Sequence, residues 1–453
     1  MRFIQVLVVS IVILLIAITS HGADAKSVVQ AEMILEQIKK GEPVNYHDVI
    51  IVGDLNLRYA YLKTVPVATN IDDEFISLDY IPTKNFVDAP IIILNSTIQG
   101  SVDFSNTIFN RSIAFAASHF EKGATFWNSQ FKYADFRGTN FNATDSPTGG
   151  TNFWLTGFSD GADFSWSKFN GLAFFWKAQF DKTATFDGTE FRGDVVFDDV
   201  VFAQRANFIG ATFNGTATYI GTSFKGDANL YGTKFNRDLL LVNTQFTRLE
   251  VEWYSIKDNL ICDGPMYLAL IKNFRDLEQF SVASDVDYTY RLWRQGQTSW
   301  FEWSKYTDIL AWLSCGYGER PSYPLGWSLI LISIFGILYW KCNAIQKSEK
   351  AYRLSYASEY KNLQVKKNFD DLLNKLRGIS LRAITDGPSS LCLSFFDAFY
   401  FSVMIFFVSH PPTDWRPSDK WKWWKFVIAV EDILGWLLLT LFVVTLTHTL
   451  IQP

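Results

Sequence analysis

Large apolar side chains recur through the middle of the chain at alternating steps of five and six residues. Phe158, Phe169, Phe180, Phe191, Phe202, Phe213, Phe224, Phe235 and Phe246 form one series spaced by eleven. Phe164, Phe175, Phe186, Phe197, Phe208, Tyr219, Leu230 and Leu241 interleave with it. The residue two positions earlier is mostly small, as in Ala162-Asp163-Phe164 and Ala184-Thr185-Phe186. Small and large side chains therefore alternate on one side of very short strands while polar residues point away. Glycines such as Gly188, Gly193, Gly210, Gly215, Gly221, Gly226 and Gly232 supply corners. A right-handed coiled coil also has an eleven-residue period but needs apolar steps of three and four. The pattern predicts a stacked solenoid, in which each unit buries its apolar residue against its neighbours.

Outside this ladder the period changes. Val49 to Leu57 and Ile91 to Ile98 read as further strands, and Asp145 to Thr151 interrupts the ladder as an ejected loop. Val29, Ala31, Ile34, Leu35 and Ile38 predict a short helix over 28–41 that caps the first coil. From Asp258 onward the spacing is helical. Asp263, Gly264 and Pro265 start a helix carrying Met266, Leu270, Phe274 and Leu277, a second covers Val286 to Arg294, and a third runs from Trp300 to Leu313. The third groups Trp300, Trp303, Tyr306 and Leu310, which suits either a bilayer interface or packing against the solenoid. Cys315-Gly316-Tyr317-Gly318 reads as a tight turn closed by Pro321 and Pro324.

Ala134-Asp135-Phe136-Arg137-Gly138 and Thr139-Asn140-Phe141-Asn142-Ala143 resemble the unit of pentapeptide-repeat proteins. That resemblance implies a right-handed, four-sided β-solenoid with one five-residue unit per side. Here every second side carries one more residue, so a coil takes about 22 residues and two corners bulge. Residues 46–249 then make about nine coils, on the order of 45 Å at a strand spacing near 4.8 Å. Some relatives mimic DNA and bind topoisomerase; an exported chain whose outward residues mix Lys and Arg with Asp and Glu does not fit that role.

Charge and composition narrow the function. A net charge of −5 and the absence of a basic cluster on the repeats argue against nucleic-acid binding. Arg2, an apolar stretch from Phe3 to Ile18 and Ala23-Asp24-Ala25 match a secretory signal cleaved after Ala25; the alternative is an uncleaved anchor. Cys262, Cys315, Cys342 and Cys392 show no metal-ligand spacing and read as buried thiols, with a Cys262–Cys315 disulfide the alternative for an exported chain. No nucleophile with a base, phosphate loop or closed metal set is legible, so we expect a non-enzyme that takes no cofactor or metal.

The last third is apolar. Pro324 to Trp340 and Phe426 to Leu450 are long enough to span a bilayer, the second being about 37 Å as a helix. Leu391 to Ser409 either spans or dips in and returns. Residues 341–390 hold ten Lys or Arg against five acidic residues, which places them in the cytoplasm if the solenoid is outside. Phe369, Leu372, Leu373 and Leu376 suggest an amphipathic helix there.

Phe396-Asp397-Ala398-Phe399-Tyr400-Phe401-Ser402-Val403 and Asp414-Trp415-Arg416-Pro417 resemble the pore helix and post-filter segment of two-transmembrane potassium-channel subunits. Glu431, Leu434, Gly435 and the run Leu441 to Thr447 resemble the inner helix of that family. The whole chain, over residues 46 to 450, resembles archaeal proteins that join pentapeptide repeats to such a pore. Where the family carries Thr-x-Gly-Tyr-Gly, this chain has Val408-Ser409-His410-Pro411-Pro412-Thr413. Prolines remove both the backbone freedom and the N–H groups such a filter uses, so the resemblance does not extend to potassium selectivity.

Ser409, His410, Pro411, Pro412, Thr413 and Asp414 are thus the candidate pore loop. Glu431 and Asp432 require water, headgroups or a partner: they lie at the interface if the span starts at Ile433, or form a vestibule ring in an oligomer. The expected layout is a signal peptide (1–25), an N-terminal cap (26–45), the solenoid (46–249) and a helical neck (250–323). A first transmembrane helix (324–342), a cytoplasmic loop (343–390), a pore-helix-like segment with a degenerate filter (391–425) and a second transmembrane helix (426–450) complete it. The function expected is an oligomeric channel-family protein in the cell membrane with an exported solenoid, conducting without selectivity or serving assembly. The rival expectation is a membrane-anchored scaffold whose solenoid binds an extracellular protein or glycan.

Overall fold

A computed structural model describes residues 26–58, 60–66, 83–142, 150–347, 395–408, 415–417 and 423–451. The signal-like segment, the loop with Phe369 to Leu376 and the six candidate pore-loop residues lie outside these. The chain divides into two compact units, 1–278 and 279–453.

The first unit is a β-solenoid of about ten turns followed by short helices. One turn shows the plan: Gly157–Phe158, Ala162–Asp163, Lys168–Phe169 and Leu172–Phe174 make four faces, and Gln179–Phe180 returns to the first. Each strand pairs in parallel with its equivalent one turn away, as in Phe158↔Phe180, Ala162↔Ala184, Lys168↔Glu190 and Ala173↔Val195. The third and fourth faces are nine-stranded sheets, whereas the first two share a sixteen-stranded sheet because Ser223–Asn229 runs unbroken round their corner.

The phenylalanines of the ladder fill the interior as four columns. Phe158, Phe180, Phe202 and Phe224 stack with ring centroids 4.6, 5.0 and 4.9 Å apart, and neighbouring columns meet edge to face, as Phe164 and Phe175 do at 88°. Parallel in-register strands impose this stacking, because each coil repeats the side chain of the last.

The extra residue expected at two corners is present, and the corners alternate in kind. After the second and fourth faces the turn is tight and its central residue is left-handed: Lys177, Gly188, Asp199, Gly210, Gly221 and Gly232 all have positive φ. The next residue is often a buried Ser or Thr whose hydroxyl donates to a carbonyl one coil back, as Thr189 does to Phe164 at 2.7 Å and Thr222 to Phe197 at 2.6 Å. The other two corners take the six-residue steps, and there coils approach closely. A Cβ added at Gly215 would lie 2.4 Å from the Gly193 carbonyl.

Both ends of the solenoid are covered. The helix expected over 28–41 is Ala31–Lys40, preceded by a strand, Ser27–Gln30, that pairs with Val49–Val52. Helix Gly264–Asp276 starts as expected, with Asp263 accepting from the Met266 N–H and Pro265 in the first turn. It buries Met266, Leu270 and Phe274, and Asn273 exchanges hydrogen bonds with the Leu249 backbone. The expected strands at Val49 to Leu57 and Ile91 to Ile98 are present. The interruption falls largely outside the described residues, and the ladder resumes at Gly150–Asn152.

The second unit contains helices Phe280–Gln297 and Trp303–Cys315, a turn at Gly316–Gly318, and three apolar helices, Ser322–Lys341, Phe395–Val408 and Trp424–Ile451. A two-stranded antiparallel ribbon joins Ile345–Lys347 to Trp415–Pro417. Cys262, Cys315 and Cys342 are free thiols; Cys315 is buried and Cys262 half-buried as expected of packed thiols, but Cys342 is exposed because it follows the end of its helix.

Candidate functional site

The three apolar helices pack around one buried polar node. Contacts give their directions. The Phe395 ring meets Trp340 at 5.7 Å, Phe399 lies against Gly336, and the Ser402 Oγ lies 3.0 Å from the Ile332 carbonyl oxygen. Numbers rise in the short helix as they fall in the first long one, so these two are antiparallel. Ser402 meets Glu431, Phe406 lies against Gly435 and clusters with Leu438, so the short helix and the last helix run parallel.

Glycine allows the close approach. A Cβ at Gly435 would fall 2.4 Å from the Phe406 carbonyl oxygen, and one at Gly336 would lie 3.3 Å from the Phe399 Cα. Small residues at helix contacts are how apolar helices pack without a solvent-driven force between them.

Glu431 sits at the centre of the node with no solvent exposure. Its carboxyl group accepts from the Tyr339 hydroxyl at one oxygen and from the Ser402 hydroxyl at the other. Each donor comes from a different helix. Sequence reasoning offered a water interface or a ring facing an oligomeric vestibule; in the structure both carboxyl oxygens are instead engaged by the residue's own chain. The physical reason is that the last helix begins at Trp424, so Glu431 lies two turns inside it. Asp432 is half-buried beside it, and its Oδ1 has no hydrogen-bond partner. Tyr339 and Ser402 were not singled out as partners; hydroxyls in otherwise apolar helices were the signal available.

The chain returns to the end it came from. Phe406 packs with Ile332, nine residues and about 13 Å before the end of the first helix at Lys341. Trp415 nevertheless pairs with Lys347, and packs in one cluster with Ala344, Ile345 and Tyr339. By Trp415, seven residues after Val408, the chain is back beside the end of the first helix. The candidate pore-loop residues Ser409, His410, Pro411, Pro412, Thr413 and Asp414 connect these two points and lie outside the described residues.

On the solenoid, two surface features stand out. Trp127, Trp154 and Trp176 stack on successive coils at 5.9 and 5.3 Å, and Lys177 lies over Trp176 at 5.1 Å. The first face holds a recess of about 530 Å³ whose lining includes Gln130, Lys132, Ser159, Asp160, Gln179 and Asp181. At the solenoid's C-terminal end, burial and the neighbouring Asp263 push the Cys262 thiol up to about 12. Among the described residues no cluster of His, Cys, Asp or Glu could hold a metal ion.

The family model described as pentapeptide repeats (9 copies) matches residues 94–140, 175–218 and 186–234. The solenoid carries pentapeptide repeats. These matches fall on the four-faced coils and leave residues 141–174 between them unmatched. No curated protein and no solved structure was found to match the chain. Helices Ser322–Lys341 and Trp424–Thr447 are long and apolar enough to cross a membrane.

Proposed function

We propose that the protein is a membrane-embedded, channel-like subunit that carries a pentapeptide-repeat solenoid. The observation that carries this reading is the re-entrant path. A short helix enters between two longer apolar ones, and the ribbon of Ile345–Lys347 with Trp415–Pro417 brings the chain back to its starting end. Helix, dipping helix and helix is the plan on which a pore loop is built, and four or more such subunits would surround a pathway. The Pro-Pro loop lacks the glycines of a potassium filter, so the pore conducts without potassium selectivity. The signal-like N-terminus and the basic segment after the first span support a solenoid outside the cell and a ribbon inside.

Purified protein in planar bilayers is expected to give unitary cation currents with little discrimination between sodium and potassium. A folded, oligomeric preparation that stays silent across voltage and tension removes the channel reading. Re-entry has its own test, since native Cys342 and a cysteine at Arg416 are expected to react with an impermeant thiol reagent from the same side. Labelling from opposite sides would mean that the short helix crosses completely.

A second reading is favoured by the stacked tryptophans and polar recess of the solenoid. In it the repeats bind an extracellular protein or glycan and the helices anchor them. Retained binding with no conductance would support it.

A further inference from the structure

Helix Trp303–Cys315 presents an apolar stripe that no described residue of its own unit covers. Trp303, Tyr306, Leu310 and Leu313 follow one another at offsets of three, seven and ten, which puts them on one side of a helix. Their exposures are 80, 51, 66 and 45%, and the preceding Trp300 and Phe301 stand at 64 and 100%. Sequence alone left this face either at a bilayer interface or packed against the solenoid's last coil; its exposure shows that the described residues of its own unit do not bury it.

The opposite side of the helix is tied down. Trp312 Nε1 donates to the Tyr288 hydroxyl at 2.9 Å, Asp308 pairs with Arg294 at 3.6 Å, and buried Lys305 donates to the Thr298 carbonyl at 2.9 Å. The helix therefore cannot roll to hide its stripe without breaking these contacts. Its C-terminal end is fastened to the first span, where Trp327 Nε1 donates to the Leu313 carbonyl at 2.8 Å. The stripe is thus continuous with the first turns of Ser322–Lys341, whose own Leu325 and Leu329 are 50 and 60% exposed.

We propose that this stripe seats the helix in the boundary between the headgroups and acyl chains of the bilayer, as an interfacial helix leading into the first span. The inference rests on the membrane reading above. Lipid fits better than a protein partner because the stripe runs into a lipid-facing surface without a break. Trp and Tyr occupy its N-terminal part and Leu the part nearest the span, which is the order the interface prefers. Thr307 borders the stripe, Ser304 lies on the side of Asp308, and the stripe contains no charged residue. Such a helix lies roughly 5–10 Å into the headgroup and acyl boundary.

The test is spin labelling of the full-length protein, its native cysteines replaced by alanine, in phosphatidylcholine–phosphatidylglycerol vesicles. Labels are placed singly by Trp303→Cys, Leu310→Cys, Ser304→Cys and Leu329→Cys. Collisions with oxygen are expected to exceed those with a water-soluble nickel chelate at 303 and 310, at shallow depth, with the reverse at 304 and the deepest signal at 329. A lipid signal at 329 with 303 and 310 in water overturns this proposal and leaves the membrane reading intact. So does shielding of 303 and 310 from both reagents, which would mean that the solenoid or a second copy covers the stripe. A label at 329 exposed to the chelate overturns both.

Discussion

A phenylalanine in the solenoid does two jobs, filling volume and continuing a stack. Phe186 lies between Phe164 at 4.9 Å and Phe208 at 4.8 Å, with interplanar angles of 4° on both sides. Phe186→Ala is expected to cost about 3–5 kcal/mol, whereas Phe186→Leu costs far less because Leu230 fills the equivalent place in the same column. Denaturant melts of the two variants measure the difference; equal losses would show that the stack itself, and not volume, holds the coils. The buried hydroxyls are a second class. Thr189→Val is expected to cost about 1–2 kcal/mol, since it strips a donor from the buried Phe164 carbonyl. Ala178, Val200 and Ala211 hold the corresponding place in other coils, so the loss stays local. Cys262 tests the burial of the C-terminal end: with its thiol near 12, the thiolate is scarce at pH 8. Its alkylation should be slow there and accelerate steeply as pH rises toward 11. Fast reaction at pH 8 would mean that this end of the solenoid opens. At this scale the sequence was informative wherever a residue repeats. The hydroxyl ladder was visible only as small residues, because its partners are backbone carbonyls that no side-chain pattern marks.

The elements differ in how far their own residues define them. Strands of two residues have no meaningful propensity, and only the register of 22 makes them, so the four faces were legible from spacing while the corner conformations were not. The left-handed corner at Trp166 shows why. With φ at +60° it occupies a place where other coils mostly use Gly, Asn or Asp, with Ala117, Leu155 and Lys177 as further departures, and its ring lies over Gly188. The apolar helices were legible from apolar length, but their polar node was not, because it joins residues 29 and 92 positions apart. Glu431 is acceptable inside an apolar bundle only because two hydroxyls from other helices meet it. Tyr339→Phe and Ser402→Ala are each expected to destabilise the helical unit by about 1–3 kcal/mol, and the double variant by less than the sum, since both serve one carboxyl group. Thermal melts in detergent would show this. Strict additivity would mean that Glu431 has turned elsewhere when the first donor is lost.

The whole molecule is two units joined near residue 278, and the first of them is closed at both ends. A solenoid left open would present unpaired strand edges and apolar rings, which drive edge-to-edge association. Here Ser27–Gln30 adds a strand to one end, and Ala31–Lys40 lays Ala31, Ile34 and Ile38 over it. At the other end Gly264–Asp276 covers the last coil with Met266, Leu270 and Phe274, and the side chain of Asn273 takes both backbone groups of Leu249. Neither cap draws a residue from the second unit. Residues 26–278 are therefore expected to fold alone into a soluble monomer with a cooperative melt, whatever the membrane segments do. Removing residues 264–278 from that fragment should turn it into an oligomer, as scattering coupled to size-exclusion chromatography would record. If the capped fragment itself aggregates, its end faces are completed by the second unit, and the solenoid and the apolar helices must then be treated as one folding unit.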